Sequence, residues 1–179
     1  MIDAAILVIF PLCMIWAAIS DTLSMTIANR VSLLLIVGFF ALAVMVGMPF
    51  ADIALHAVVF ASVLAVTFAL FAFGSMGGGD AKMLAASALW IGWGEPLLFY
   101  LLIAAIAGGA VTLAVLVFRR NEAVRFLAGR VLGPQIEAPA YLEDHKSGVP
   151  YGIALGFAGL MVFPETPLAQ IAITSLAFG

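Results

Sequence analysis

The chain has 179 residues, of which 65% are hydrophobic and only 9% charged, with a formal net charge of −3. A soluble domain carries about 25% charged residues, so a water-soluble domain is excluded and an integral membrane protein is indicated. The single cysteine, Cys13, excludes a disulfide framework and a Cys-x-x-Cys zinc site.

Apolar runs follow one another at Ala4–Ile19, Val31–Met48, Ile53–Phe73, Ala81–Trp93, Leu97–Phe118 and Tyr151–Phe163. Several approach the ~20 residues that cross a bilayer as helix. The expected fold is all-α, a polytopic membrane helical bundle with about six transmembrane helices, forming a single domain over residues 1–179. The first run reads as a retained helix: it has no basic segment before it and ends in Ser20-Asp21, which is no signal-peptide cleavage site. The fourth and sixth runs are short for a span. The fourth suffices only if its helix tilts, begins within the preceding glycines, or sits where protein and water thin the barrier, and Leu168–Phe178 either extends the sixth past a proline break or lies at the outer surface.

Six spans put residues 20–30, 74–82 and 119–149 on one side, and these hold all seven basic residues: Arg30, Lys82, Arg119, Arg120, Arg125, Arg130 and Lys146. Cytoplasmic loops are enriched in Lys and Arg, which puts the N-terminus outside and makes 119–149 a cytoplasmic basic loop. Its first part, "RRNEAVRFLAGRVLG", suits either a short helix on the cytoplasmic leaflet or an ordinary positive-inside loop. Its Gly- and Pro-rich remainder is expected to be irregular. His56 is expected to be an interfacial or interhelical hydrogen bonder rather than a proton relay, His145 to be solvated, and Gly108-Gly109 to allow close helix packing.

Most of the ten acidic residues sit in loops or near chain ends, but Asp21 ends helix 1 and Asp80 begins helix 4, at one membrane depth. Ionisable groups at such positions are costly and mark functional sites. Gly77, Gly78 and Gly79 precede Asp80. Glycines let the backbone leave helical geometry and let another chain approach, and irregular backbone at membrane depth survives only against protein or a water-filled cavity. A carboxylate in the first turn of a helix also meets the favourable end of the dipole. Two carboxyls a few ångströms apart share a proton, so one can activate water while the other polarises a carbonyl, the apparatus of peptide hydrolysis.

At this point a family comes into view. "GGGDAKML" is similar to the G-x-G-D-x-K-[LM] motif of the type IV prepilin peptidases, which are membrane aspartic proteases. "DTLSMTIANRVSLLL" resembles that family's first-aspartate segment, and "GVPYGIALG" resembles the start of its last helix. The resemblance implies that Asp21 and Asp80 are the catalytic pair and Gly77 and Gly79 the motif glycines. Lys82 matches the motif lysine, with a positive-inside anchor as its plain alternative. Asn29 matches the Asn of the family's Ile-Pro-Asn, and Pro150, Tyr151 and Gly152 are implied to shape the cleft. Ala28 stands where the family has proline, which puts the start of helix 2 in question.

The family's cysteine-bearing cytoplasmic domain has no counterpart here, so the chain resembles the small, peptidase-only form of Tad/Flp pilus assembly, without methyltransferase activity. The implied substrate is a Flp-type prepilin with a short basic leader, cut at the cytoplasmic face of a bacterial inner membrane. No metal and no organic cofactor is implied, and no nucleic acid; the partners are the prepilin and the lipid bilayer, with homodimerisation left open. A presenilin-like protease shares Gly-x-Gly-Asp and remains an alternative, as does a cation-coupled transporter using both aspartates. A purely structural subunit gives no reason for Asp80 after three glycines, and the P-loop pattern is absent.

Overall fold

The computed structural model describes residues 1–132, 142 and 148–178. The irregular remainder expected of the basic loop, with His145 and Lys146, lies outside the described residues. Among those described, all regular structure is helical: α1 (Ile2–Ser24), α2 (Asn29–Met45), α3 (Phe50–Ala72), α4 (Gly78–Ile91), α5 (Glu95–Arg120), α6 (Glu122–Leu132), α7 (Gly152–Val162) and α8 (Pro167–Phe178), with a 3-10 turn at Phe163–Glu165.

Helix lengths separate the elements. With 23, 23 and 26 residues, α1, α3 and α5 are long and apolar enough to cross a membrane, each reaching about 35–39 Å at 1.5 Å per residue. A fourth span arises if α7 and α8 count together: they are bent by 51° across the break. There Thr166 is fully buried, its hydroxyl donating to the Phe163 carbonyl at 2.8 Å. The bend leaves α8 packed on α1 and α4, with Leu168, Ala169 and Ala172 buried. Among the described residues, length and composition thus give three or four spans, since α2 and α4 have 17 and 14 residues, about 26 and 21 Å.

The short α4 is the centre of the bundle. Ala81, Met83 and every residue from Ala85 to Ile91 are buried, whereas α3 and α5 expose large apolar side chains such as Val66, Phe68, Leu102 and Ile106. A helix apolar all round suits the inside of a bundle, and an apolar outer face suits lipid. Trp90 anchors the hub: it is fully buried, packs against Phe10 and Phe39 at ring separations of 5.4 and 6.1 Å, and donates from Nε1 to the Leu35 carbonyl at 2.9 Å. His56 of α3 reaches the same helix, with Nδ1 2.6 Å from the Leu89 carbonyl oxygen, the interhelical bond expected of it. Its ring lies against Gly92, whose φ of +77° ends α4 in a conformation that suits glycine.

Three glycines on one stripe of α7 seat that helix on α1. A Cβ at Gly156 would come within 2.8 Å of the Met14 carbonyl oxygen, and one at Gly159 within 2.8 Å of the Met14 sulfur. Gly152, one turn earlier, lies against Ala17 and Asp21. Small residues at this spacing let two helix backbones approach.

Candidate active site

The ends of α1, α3 and α5 and the beginnings of α2, α4 and α7 meet at one end of the bundle. A cavity of about 770 Å³ opens there, and both Asp21 and Asp80 line it. Its other walls come from Met25, from Leu70 and the Gly74–Gly77 turn after α3, from Thr112 of α5, and from Gly148, Val149 and Tyr151 before α7. Residues 59 positions apart in sequence thus share the wall of one cavity.

Asp21 sits in the last turn of α1 and is only 5% exposed. The helix ends just beyond it, where Met25 takes a left-handed conformation (φ 53°) and donates its N–H to the Asp21 carbonyl at 2.8 Å. The side chain is fixed from another element: the backbone N–H of Gly152 donates to Oδ2 at 2.7 Å. Gly152 is the first residue of α7 after the Tyr151 cap, so the carboxylate faces a helix N-terminus, the end that favours negative charge.

Asp80 occupies the third position of α4, after the cap Gly77. The glycine run is used differently from the sequence expectation of non-helical backbone. Gly78 and Gly79 are already helical, and only Gly77, at φ −69° and ψ 142°, is extended. The glycines are needed for space. A Cβ at Gly77 would lie 2.7 Å from Asp80 Oδ2, and one at Gly79 would lie 3.3 Å from the Ile27 side chain and 3.4 Å from its backbone nitrogen. The run lets the Asp80 carboxyl fold over its own helix start and lets the segment before α2 pass close by.

The other sequence candidates divide. Tyr151 lines the cavity and Pro150 is buried beside it. Lys82 and Asn29 point elsewhere, both exposed and bonded to one another, Lys82 Nζ to Asn29 Oδ1 at 3.0 Å. They tie the beginning of α4 to the beginning of α2. That helix starts intact despite Ala28, because Ala28 holds φ −64° and ψ 135°, the φ that a proline would impose.

Sequence reasoning missed Thr112 and the contact made by Arg119, and read Gly108 only as a glycine for close helix packing. Thr112 lines the cavity while its hydroxyl donates to the Gly108 carbonyl at 2.8 Å. Gly108 gives the Tyr151 ring its seat, since a Cβ there would overlap the ring. Arg119, counted among the basic residues that set the topology, is buried and donates from a guanidinium nitrogen to the Gly148 carbonyl at 3.0 Å, tying the end of α5 to the segment that enters α7.

The fold and the cavity define a helical, membrane-embedded protein that gathers two carboxyl groups where its helix ends meet. Comparison of families narrows this: the model described as the type IV leader peptidase family matches residues 8–113, more than half of the chain and a stretch containing both aspartates. The chain belongs to that family, which makes it an aspartic-type endopeptidase acting on leader peptides. No curated protein and no solved structure matches it.

Proposed function

We propose that Asp21 and Asp80 are the catalytic pair and that the chain removes the short basic leader of Flp-type prepilins. The observation that carries this is the shared cavity, with both carboxyls on its wall and Asp21 held by the Gly152 N–H. One carboxylate takes a proton from a water molecule, whose oxygen attacks the scissile carbonyl. The other carboxyl, protonated, donates a hydrogen bond to the carbonyl oxygen. Collapse of the tetrahedral intermediate breaks the C–N bond, and the departing amine receives a proton from the pair. These groups supply both water activation and carbonyl polarisation, so the mechanism invokes no metal or cofactor.

The proposed setting is a bacterial inner membrane, with residues 1–179 forming one domain of six membrane helices, the N-terminus outside and the cavity at the cytoplasmic face. The clustering of basic residues supports the orientation. The burial of α4 within the bundle supports counting it as membrane-embedded despite its length, because a helix enclosed by protein need not match the lipid. Helix α6 carries Phe126 and Leu127 exposed beside Arg125, which supports the interfacial reading of that segment over a plain loop.

The experiment is co-expression of the chain with a Flp-type prepilin in membranes, with cleavage read as a mobility shift and the product mass locating the cut. Wild type should cut at the leader boundary, and Asp21→Asn and Asp80→Asn, present at normal abundance, should not. Uncut prepilin with the wild-type chain would refute the substrate assignment, and cutting at wild-type rate by either variant would refute the pair.

A further inference from the structure

Gly108 is a notch in α5 that a methyl group would fill. An ideal Cβ there would overlap the Tyr151 ring and lie 2.7 Å from the Tyr151 hydroxyl oxygen, while one at the neighbouring Gly109 would meet nothing within 4 Å. The glycine pair is therefore asymmetric, and only Gly108 is committed to a contact. The same turn of α5 is secured by the Thr112 hydroxyl bonded to the Gly108 carbonyl. Tyr151 is the cap residue of α7, and the next N–H along the chain, that of Gly152, is the one bonded to Asp21.

On its other side, α7 is seated against α1. A Cβ at Gly152 would lie 2.6 Å from the Asp21 Cβ and 3.0 Å from the Ala17 carbonyl oxygen. The beginning of α7 is thus gripped between two helices, by the Tyr151 ring in the α5 notch and by Gly152 against α1. Side chains in close-packed interiors transmit displacement rather than absorb it. A ring pushed out of the notch moves the Tyr151–Gly152 peptide and, with it, the N–H that orients Asp21.

We infer that Gly108 is a positioning residue for the peptidase reaction: by seating the Tyr151 ring it sets where the Gly152 N–H meets the Asp21 carboxylate. The inference rests on the reading of Asp21 and Asp80 as the catalytic pair. It makes the glycine of a lipid-facing helix a determinant of turnover through the Tyr151 ring and the Gly152 N–H.

The test is steady-state cleavage of a Flp-type prepilin by the full chain in membranes, with rates divided by enzyme abundance. Gly108→Ala should lower kcat tenfold or more with KM within about threefold, and Gly109→Ala should match wild type. The inference is overturned if Gly108→Ala keeps wild-type kcat or changes KM alone. Loss of abundance or thermal stability in Gly108→Ala with unchanged kcat also overturns it, since that marks a role in packing only. Asp21→Asn and Asp80→Asn run alongside. If they cut normally, or wild type does not cut, the catalytic reading fails; if they are inactive while Gly108→Ala equals wild type, only the present inference fails.

Discussion

Substituting Gly152 with alanine attacks the site at its best-defined contact. The new Cβ would lie 2.6 Å from the Asp21 Cβ, 3.0 Å from Asp21 Oδ2 and 3.0 Å from the Ala17 carbonyl oxygen. The last is helix backbone and cannot rotate away, so α7 must lift from α1 or Asp21 must turn from the Gly152 N–H. Either movement lengthens the 2.7 Å bond. A hydrogen bond to a charged group contributes about 1.5–3 kcal/mol, and about 1.36 kcal/mol on a barrier is tenfold in rate. If that bond serves the transition state, Gly152→Ala should lose roughly ten- to a hundredfold in kcat. The assay is the initial rate of prepilin cleavage in membranes, normalised to enzyme abundance, with Gly109→Ala as a substitution that meets only open space. Wild-type turnover by Gly152→Ala at normal abundance would refute the reasoning, as would an equal loss in Gly109→Ala.

Lys82→Ala should change the normalised cleavage rate less than about threefold, because an exposed polar pair contributes about 0–1 kcal/mol and Lys82 bonds Asn29 outside the cavity; a tenfold loss would bring the lysine into the reaction. Ala28→Pro should raise thermal stability by about 0.4–1 kcal/mol, since φ is already −64° there; a lower melting temperature in detergent would show that the segment before α2 is not as described. Trp90→Ala should cost about 3–5 kcal/mol, because it empties the hub between Phe10 and Phe39 and leaves the Leu35 carbonyl without its donor. An unchanged melting temperature would deny α4 its place as the core.

The all-helical class and the presence of Asp21 and Asp80 at one end of the bundle were legible in the sequence, because hydrocarbon runs and rare charges are strong signals in a membrane chain. Burial was not legible. In α3, α4 and α5 nearly every residue is apolar, so no hydrophobic period separates the enclosed α4 from its lipid-facing neighbours. The same uniformity hid the spans: α2 and α4 are helices where expected, but their lengths fall below those of α1, α3 and α5. Within the site, Gly152 and Tyr151 were legible as motif residues, yet what Gly152 does, donating its N–H to Asp21, joins positions 131 residues apart. Gly108 was read as a packing glycine without its partner, since the Tyr151 ring it receives lies 43 positions further along the chain. Lys82 and Asn29, both motif positions, looked like site residues until their mutual bond turned them away from the cavity.

The most direct test of the central claim compares Asp21→Asn, Asp80→Asn and the double variant for abundance-normalised cleavage of a Flp-type prepilin under single-turnover conditions. Groups that act as one unit are not additive, so removing both should cost about what removing either costs. The account predicts that each single variant loses nearly all activity and that the double falls no further. Substantial cleavage by either single variant, with the double losing the product of the two separate effects, would contradict it and leave the two carboxyls as independent neighbours of one cavity.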